Sequence, residues 1–213
     1  MQIFINYIRH HIVTTTLLTI NLMMVIIVLI MGGFDQNLLK FGAMVPLLVS
    51  EQKEYYRLIM MMFLHANIIH FLSNAIVLFF LGSQLERLLG PMRYLILYAF
   101  SGIASSFTVL FFSPFKSVTV GASGAIFGIM GALLVLTLIK PNWFTPQGIK
   151  SIRQLMILNL FFTFLVNEIS VEAHIGGLIG GSLIIFLLLP KIPYFIRKHP
   201  LFIEQQQSRS YDA

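Results

Sequence analysis

The amino-acid sequence predicts an all-α membrane protein, a bundle of six transmembrane helices, and three observations carry that expectation. Apolar residues make up 57% of the 213-residue chain and charged residues only 10%, with a mean hydropathy of +0.87, a balance that a soluble domain of this size could not keep in water. Six apolar stretches each approach the roughly 20 residues that a bilayer core requires. The charges fall between those stretches or at their ends.

The first stretch, residues 12–31, is too long for a signal peptide, and no small-residue cleavage site precedes the Gly32-Gly33 turn, so it reads as a retained helix. The connection from residue 32 to 55 exceeds an ordinary helix joint. Its apolar content predicts that it rests on the membrane surface. Spans two, three and four follow at 66–84, 94–112 and 121–139, the fourth rich in glycine and alanine. The fifth, 152–166, is the shortest by pattern, and the sixth, 173–189, opens on a second glycine row. From Lys191 the chain turns basic, with "IRKHP", and then polar, with "EQQQSRSYDA". The organisation is therefore a six-helix domain, 1–190, and a basic tail, 191–213, read as a solvated end.

With the amino terminus placed inside, Arg9, Arg87, Arg93, Lys140, Lys150, Arg153, Lys191, Arg197, Lys198 and Arg209 fall on the cytoplasmic side, against Lys40, Lys53, Arg57 and Lys116 outside. That asymmetry predicts a multi-pass protein of the cell membrane with both termini cytoplasmic. It also makes the +6 net charge a topology signal and a contact with membrane lipids, not a nucleic-acid surface.

Polar residues inside the spans are few, and burying them in hydrocarbon is costly, so they mark function more often than elsewhere. Span two holds "HANIIHFLSNA", with His65, His70 and Asn74; span four opens "GASGAIFG", with Ser123; span six opens "EAHIGGLIGG", with His174. In the inside-start topology the even spans run from outside to inside. His70, Asn74, Ser123 and His174 then share one shallow layer near the outer face. Each has a plainer reading when taken alone. Gly124, Gly128 and Ala132 form a small-residue row for helix packing, in which serine is tolerated by bonding back one turn. His65 reads as an interface anchor, His70 and Asn74 can bond across helices, and His174 can be capped by a carbonyl. Gly177 and Gly181 clear one face of span six, and the glycine row of span four is the natural partner, which would carry His174 towards Ser123.

Several chemistries are excluded. The chain has no cysteine, hence no disulfide, thiol nucleophile or thiolate metal site. Its only aspartates, Asp35 and Asp212, lie outside the spans, and no H-E-x-x-H string occurs. Glu168 and Glu172 stand at the outer end between spans five and six, where carboxylates favourably face a helix amino terminus. No phosphate loop, metal site, cofactor fingerprint or nucleic-acid motif is present.

These residues resemble the rhomboid intramembrane serine proteases. The resemblance spans nearly the whole chain, through "GASGAIFG", "AHIGGLIGG", "FLHANIIHFLSNA" in the second span, and "LERLLG" on the loop after it. It implies a rhomboid-like six-helix bundle in which Ser123 is the nucleophile and His174 the general base of a dyad. His70 and Asn74 would stabilise the oxyanion with the backbone N–H of Ser123, and Gly121, Gly124, Phe127, Gly177 and Gly181 would support the site. It implies no cofactor, and a substrate that is a single-pass membrane protein cut near the outer end of its helix. The alternatives are a rhomboid-like protein that binds membrane helices without cutting them, or a small transporter. Two positions depart from the family pattern: Tyr56-Arg57 stands where a Trp-Arg pair is frequent, and Phe127 where others carry tyrosine. The second leaves His174 without an obvious hydroxyl partner.

Overall fold

The computed structural model describes residue 7, residues 9–166 and residues 168–198, with no side-chain description at 35 and 36; the last fifteen residues of the expected tail lie outside the described residues. In chain order the helices are α1 (Ile12–Ile30), α2 (Phe34–Phe41), α3 (Pro46–Gln52), α4 (Arg57–Met60), α5 (Ile68–Leu89), α6 (Pro91–Phe112), α7 (Ser123–Ile139), α8 (Pro146–Leu165), α9 (Val171–Leu188) and α10 (Tyr194–Arg197). Five of them, α1, α5, α6, α8 and α9, are long and apolar enough to cross a membrane. The sixth apolar helix, α7, is shorter, at 17 residues. Among the described residues the one departure from helices and turns is a single antiparallel bridge between Met44 and Thr119. The protein is a multi-pass helical membrane bundle.

Two boundaries differ from the sequence expectation. The fifth span is not the shortest, because α8 begins at Pro146, ahead of its apolar run, and extends over 20 residues. Thr145 caps it, accepting the Gly148 N–H at 3.1 Å, and proline suits the first helical position, where its missing N–H is no loss. An apolar count cannot see this polar opening turn. The string "LERLLG" is likewise helix and not loop. After a wide π turn at Leu78–Gly82, helix α5 continues to Leu89 and stops at Gly90, whose φ is +86°. That continuation buries Glu86, whose carboxylate accepts the N–H groups of Val13 and Thr14, each at 2.9 Å, and the Thr14 hydroxyl at 2.7 Å. No side chain from the N-cap of α1 does this work. Glu86 supplies both acceptor and negative charge to the amino end of α1.

Helix α7 stands at the centre. Every residue from Gly124 to Leu133 is buried, as expected of a helix that is apolar all round. It packs most closely against α6 and α9, and small residues make that possible. A Cβ built on Gly177 would overlap the carbonyl oxygen of Gly124, and one on Gly181 would overlap that of Gly128. On the α6 side, Ser105 and Ser101 fill the places that side chains at Gly124 and Gly128 would take. Seventeen residues rise about 25 Å, about 5 Å less than the hydrocarbon core, so at least one end of α7 is recessed.

The segment leading into α7 is held from outside by the long first connection. Met44 and Thr119 exchange N–H···O bonds at 2.9 Å, Leu47 N–H reaches Phe115 O, and Gly121 N–H donates to Met61 O at 2.8 Å. Arg57, 4% exposed, ties this connection together.

Candidate active site

Ser123 is the first residue of α7. Its predecessor Ala122 is the N-cap and offers no side-chain cap, so the opening amides of the helix point outward with the positive end of the dipole. Gly121 has φ +135°, a region that L residues with side chains avoid. It must also be bare. A Cβ there would lie 2.9 Å from both Cε1 and Nε2 of His70 and 3.4 Å from Ser123 Oγ. The imidazole and the hydroxyl thus both border the space left by the missing side chain of Gly121.

His70 and Asn74 lie one turn apart on α5. Asn67 caps that helix, its Oδ1 accepting the His70 N–H at 2.8 Å. The Ala66 N–H approaches His70 Nδ1 at 3.5 Å. With Nδ1 accepting, the ring proton resides on Nε2, the atom beside Gly121. Asn74 is buried, and its Nδ2 has no acceptor among the described residues. His70 thus stands beside the amino end of α7, with Asn74 one turn further along α5.

His174 sits in the first turn of α9, stacked on Phe127 with ring centroids 3.9 Å apart and planes at 18°. Phe127 is one turn past Ser123, and Ala173 O lies 3.3 Å from the Cβ position of Gly124. The glycine contact that brings the two helices together thus leaves Ser123 and His174 on the opening turns of two helices in backbone contact. Among the described residues no hydrogen bond joins Ser123 Oγ to His174; such contacts commonly tighten only when substrate binds. No three His, Asp or Glu side chains among the described residues meet to hold a metal ion.

A family model described as the rhomboid domain matches residues 52–191. The chain belongs to the rhomboid family. It is 40% identical over 146 residues to the rhomboid protease GluP of Bacillus subtilis, covering 68% of this chain and 28% of that protein. It is 38% identical over 138 residues to the putative rhomboid protease YdcA of the same organism, covering 65% and 69%. To RHOMBOID-like protein 1 of Arabidopsis thaliana it is 33% identical over 178 residues, covering 79% and 44%. The chain thus spans about a quarter of the length of GluP and about two thirds of that of YdcA.

Within this rhomboid the two departures from the family pattern have physical answers. Arg57 anchors the first connection without a tryptophan beside it. Its guanidinium donates to Leu39 O at 2.9 Å and Ala43 O at 2.8 Å, pairs with Glu54 at 2.5 Å, and lies 5.3 Å from the Tyr56 ring centre. Phe127 has no hydroxyl for His174, and the structure supplies one from elsewhere: Thr163 Oγ1 of α8 is 2.8 Å from His174 Nδ1. Sequence reasoning missed Thr163. A threonine in the run "FFTFL" looks like one that bonds its own helix, and nothing local says which neighbour it faces. Glu172 behaves as expected, accepting from Ser170 Oγ at 3.1 Å while that same oxygen takes the Ala173 N–H.

His65 is not the interface anchor that the sequence suggested. It is 1% exposed and meets His70 and Phe71 edge-on. Burial pushes its imidazole from 6.5 down to about 3, and His70 acts in the same direction. The unfolded chain accepts a proton here below about pH 6.5 that the folded protein refuses until about pH 3. This contribution to stability is therefore complete above the upper value and falls as the pH drops through that window, by about 1.4 kcal/mol per unit. Thermal midpoints in detergent should decline below about pH 6.5, and less steeply for His65→Gln. Equal slopes for the two proteins would remove His65 as the cause.

Proposed function

We propose that this rhomboid is an intramembrane serine protease that cuts single-pass membrane proteins near the outer end of their helices. The observation that supports it best is that His70 and Ser123 border the same gap at Gly121. His70 Nε2 and Ser123 Oγ border the space that a Cβ on Gly121 would take, and Asn74 Nδ2, one turn along α5 from His70, is buried with no acceptor among the described residues. A buried donor left unpaired costs about 1–3 kcal/mol. A negative oxygen forming beside Ser123 would repay that cost at the moment of reaction.

In this mechanism His174 Nε2 takes the proton of Ser123 Oγ as that oxygen attacks the peptide carbonyl. The new C–O bond converts the carbonyl oxygen to an oxyanion, which accepts from His70 Nε2–H, Asn74 Nδ2–H and the Ser123 N–H. The intermediate collapses by breaking the C–N bond, and His174 returns its proton to the leaving amine. An acyl-enzyme remains. Water, deprotonated by the same imidazole, then releases the acid and restores Ser123. Each oxyanion donor contributes about 10²- to 10³-fold in rate. The substrate must offer extended backbone, and a membrane helix frays most readily at its end, where water can replace its internal bonds. A site at the amino end of a helix too short to span the hydrocarbon core, facing outward, suits that need, with both termini of the chain in the cytoplasm.

A fluorophosphonate probe tests the reading directly. Wild-type protein in detergent should be labelled covalently, and Ser123→Ala should not. Labelling that persists in Ser123→Ala would show that another side chain is the nucleophile, and its absence from folded wild type would leave a helix-binding rhomboid without one.

A further inference from the structure

We propose that Thr163 is a positioning residue for His174: its hydroxyl accepts the Nδ1–H of the imidazole and so leaves the Nε2 lone pair free to face Ser123. The proposal rests on the protease reading above and goes beyond it by naming what orients a base to which no carboxylate is hydrogen-bonded among the described residues.

The place of Thr163 in its helix is the first argument. Helix α8 is the most exposed of the spans, with 17% of its apolar window buried. Its buried residues are Ile152, Met156 and Thr163, all on one face by their spacing. Thr163, 1% exposed, is the polar member of that row, held against α9 where a third aliphatic residue would serve packing equally well. A hydroxyl at such a position marks a partner.

The hydrogen bonds supply the second argument. Thr163 Oγ1 is 2.8 Å from Asn159 O, one turn back in its own helix, and 2.8 Å from His174 Nδ1. A hydroxyl has one proton and two lone pairs, whereas a carbonyl oxygen only accepts. With the hydroxyl proton donated to Asn159 O, the Thr163 oxygen turns a lone pair to the ring, and Nδ1 must carry hydrogen. A neutral imidazole protonated at Nδ1 has its lone pair on Nε2. The opposite arrangement, with the threonine donating to Nδ1, would put hydrogen on Nε2, and the ring could then take no proton from serine. Phe127 packs against the face of the ring and holds its plane, but a stacking contact does not distinguish the two nitrogens. Thr163 does. A base held by an acceptor at Nδ1 needs only that acceptor, so the hydroxyl replaces the orienting role that a tyrosine at position 127 would otherwise offer.

The test compares Thr163→Val, which keeps the branched shape and loses the acceptor, with Thr163→Ser, which keeps the hydroxyl. Two measurements are made on full-length protein in detergent. The first is fluorophosphonate labelling, resolved into the maximal rate and the half-saturating probe concentration. Thr163→Val should lower the maximal rate about 10- to 100-fold, the range typical of partners that orient a functional histidine, with half-saturation unchanged. Thr163→Ser should stay close to wild type. The second is the ¹⁵N spectrum of histidine-labelled protein, with the His174 signals assigned by their loss in His174→Gln. Wild type and Thr163→Ser should show the Nδ1-protonated tautomer, and Thr163→Val a mixture of both. An Nε2-protonated wild type overturns the proposal. So does Thr163→Val with an unchanged spectrum, whether its labelling is normal or slow, because slow labelling would then reflect packing alone. Should Thr163→Val not fold, the spectra of wild type and Thr163→Ser still decide. If wild type is not labelled at all, the protease reading fails, while the tautomer on its own still decides for or against the Thr163 bond.

Discussion

His174→Ala should give a protein that folds, inserts and cleaves nothing. Without the imidazole, Ser123 keeps its proton through the attack and the leaving amine receives none. Where serine and histidine act as a unit, loss of the histidine costs on the order of 10⁶-fold in kcat, which takes turnover below detection. Folding should survive because what the ring contributes to packing is local: the stack on Phe127 and one bond to Thr163. The Thr163 hydroxyl keeps its partner in Asn159 O. The glycine contacts between α7 and α9 do not involve the ring. A stability loss of about 1–3 kcal/mol is expected, read as a modest fall in thermal midpoint in detergent. Cleavage of a model single-pass substrate at the wild-type rate by this variant would end the dyad. An unfolded variant would contradict the packing account instead.

The residues that sequence reasoning found and missed differ in how their signal is carried. Ser123, His174, His70 and Asn74 stand out in the sequence as candidates because each is polar in an apolar run, and the cost of burying it makes its presence informative. Gly124, Gly177 and Gly181 were legible because spacing alone puts them on one helix face, and the structure joins those faces. Glu86 was visible as a residue but not as a role, since its partners, Val13 and Thr14, are over seventy residues away on another helix. Thr163 was hidden for a related reason. Threonine satisfies itself by bonding back one turn, so its presence in a span signals nothing until the neighbouring helix is in place. Helix boundaries went astray where polar residues continue a helix beyond its apolar run, at Pro146 and again at Leu89. Hydropathy reports what lies in the membrane; the caps and the Gly90-Pro91 break report where a helix stops, and the two need not coincide.

Gly177→Ala should be among the most damaging substitutions of a single methyl in the chain, and the reason distinguishes it from ordinary overpacking. The added Cβ would overlap Gly124 O, with the carbonyl carbon at 2.6 Å and the α-carbon at 3.1 Å. All three atoms are backbone. No side chain can rotate to relieve the contact, so α9 must move away from α7 as a body, and tight cores yield reluctantly. Overpacking with flexible neighbours costs about 1–3 kcal/mol; here the upper end or more is expected. The displacement also widens the gap between Ser123 and His174, which lie immediately before Gly124 and one turn before Gly177. Fluorophosphonate labelling should therefore fall further than the thermal midpoint alone would explain. Gly148→Ala is the matched control. Its Cβ would meet only Thr145 Oγ1, at 3.2 Å, and alanine favours the helix by about 0.5–1 kcal/mol over glycine. That variant should melt at or slightly above wild type and label normally. If Gly177→Ala melted and labelled like Gly148→Ala, the two helices could not be in backbone contact, and the proposed pairing of Ser123 with His174 would lose its structural support.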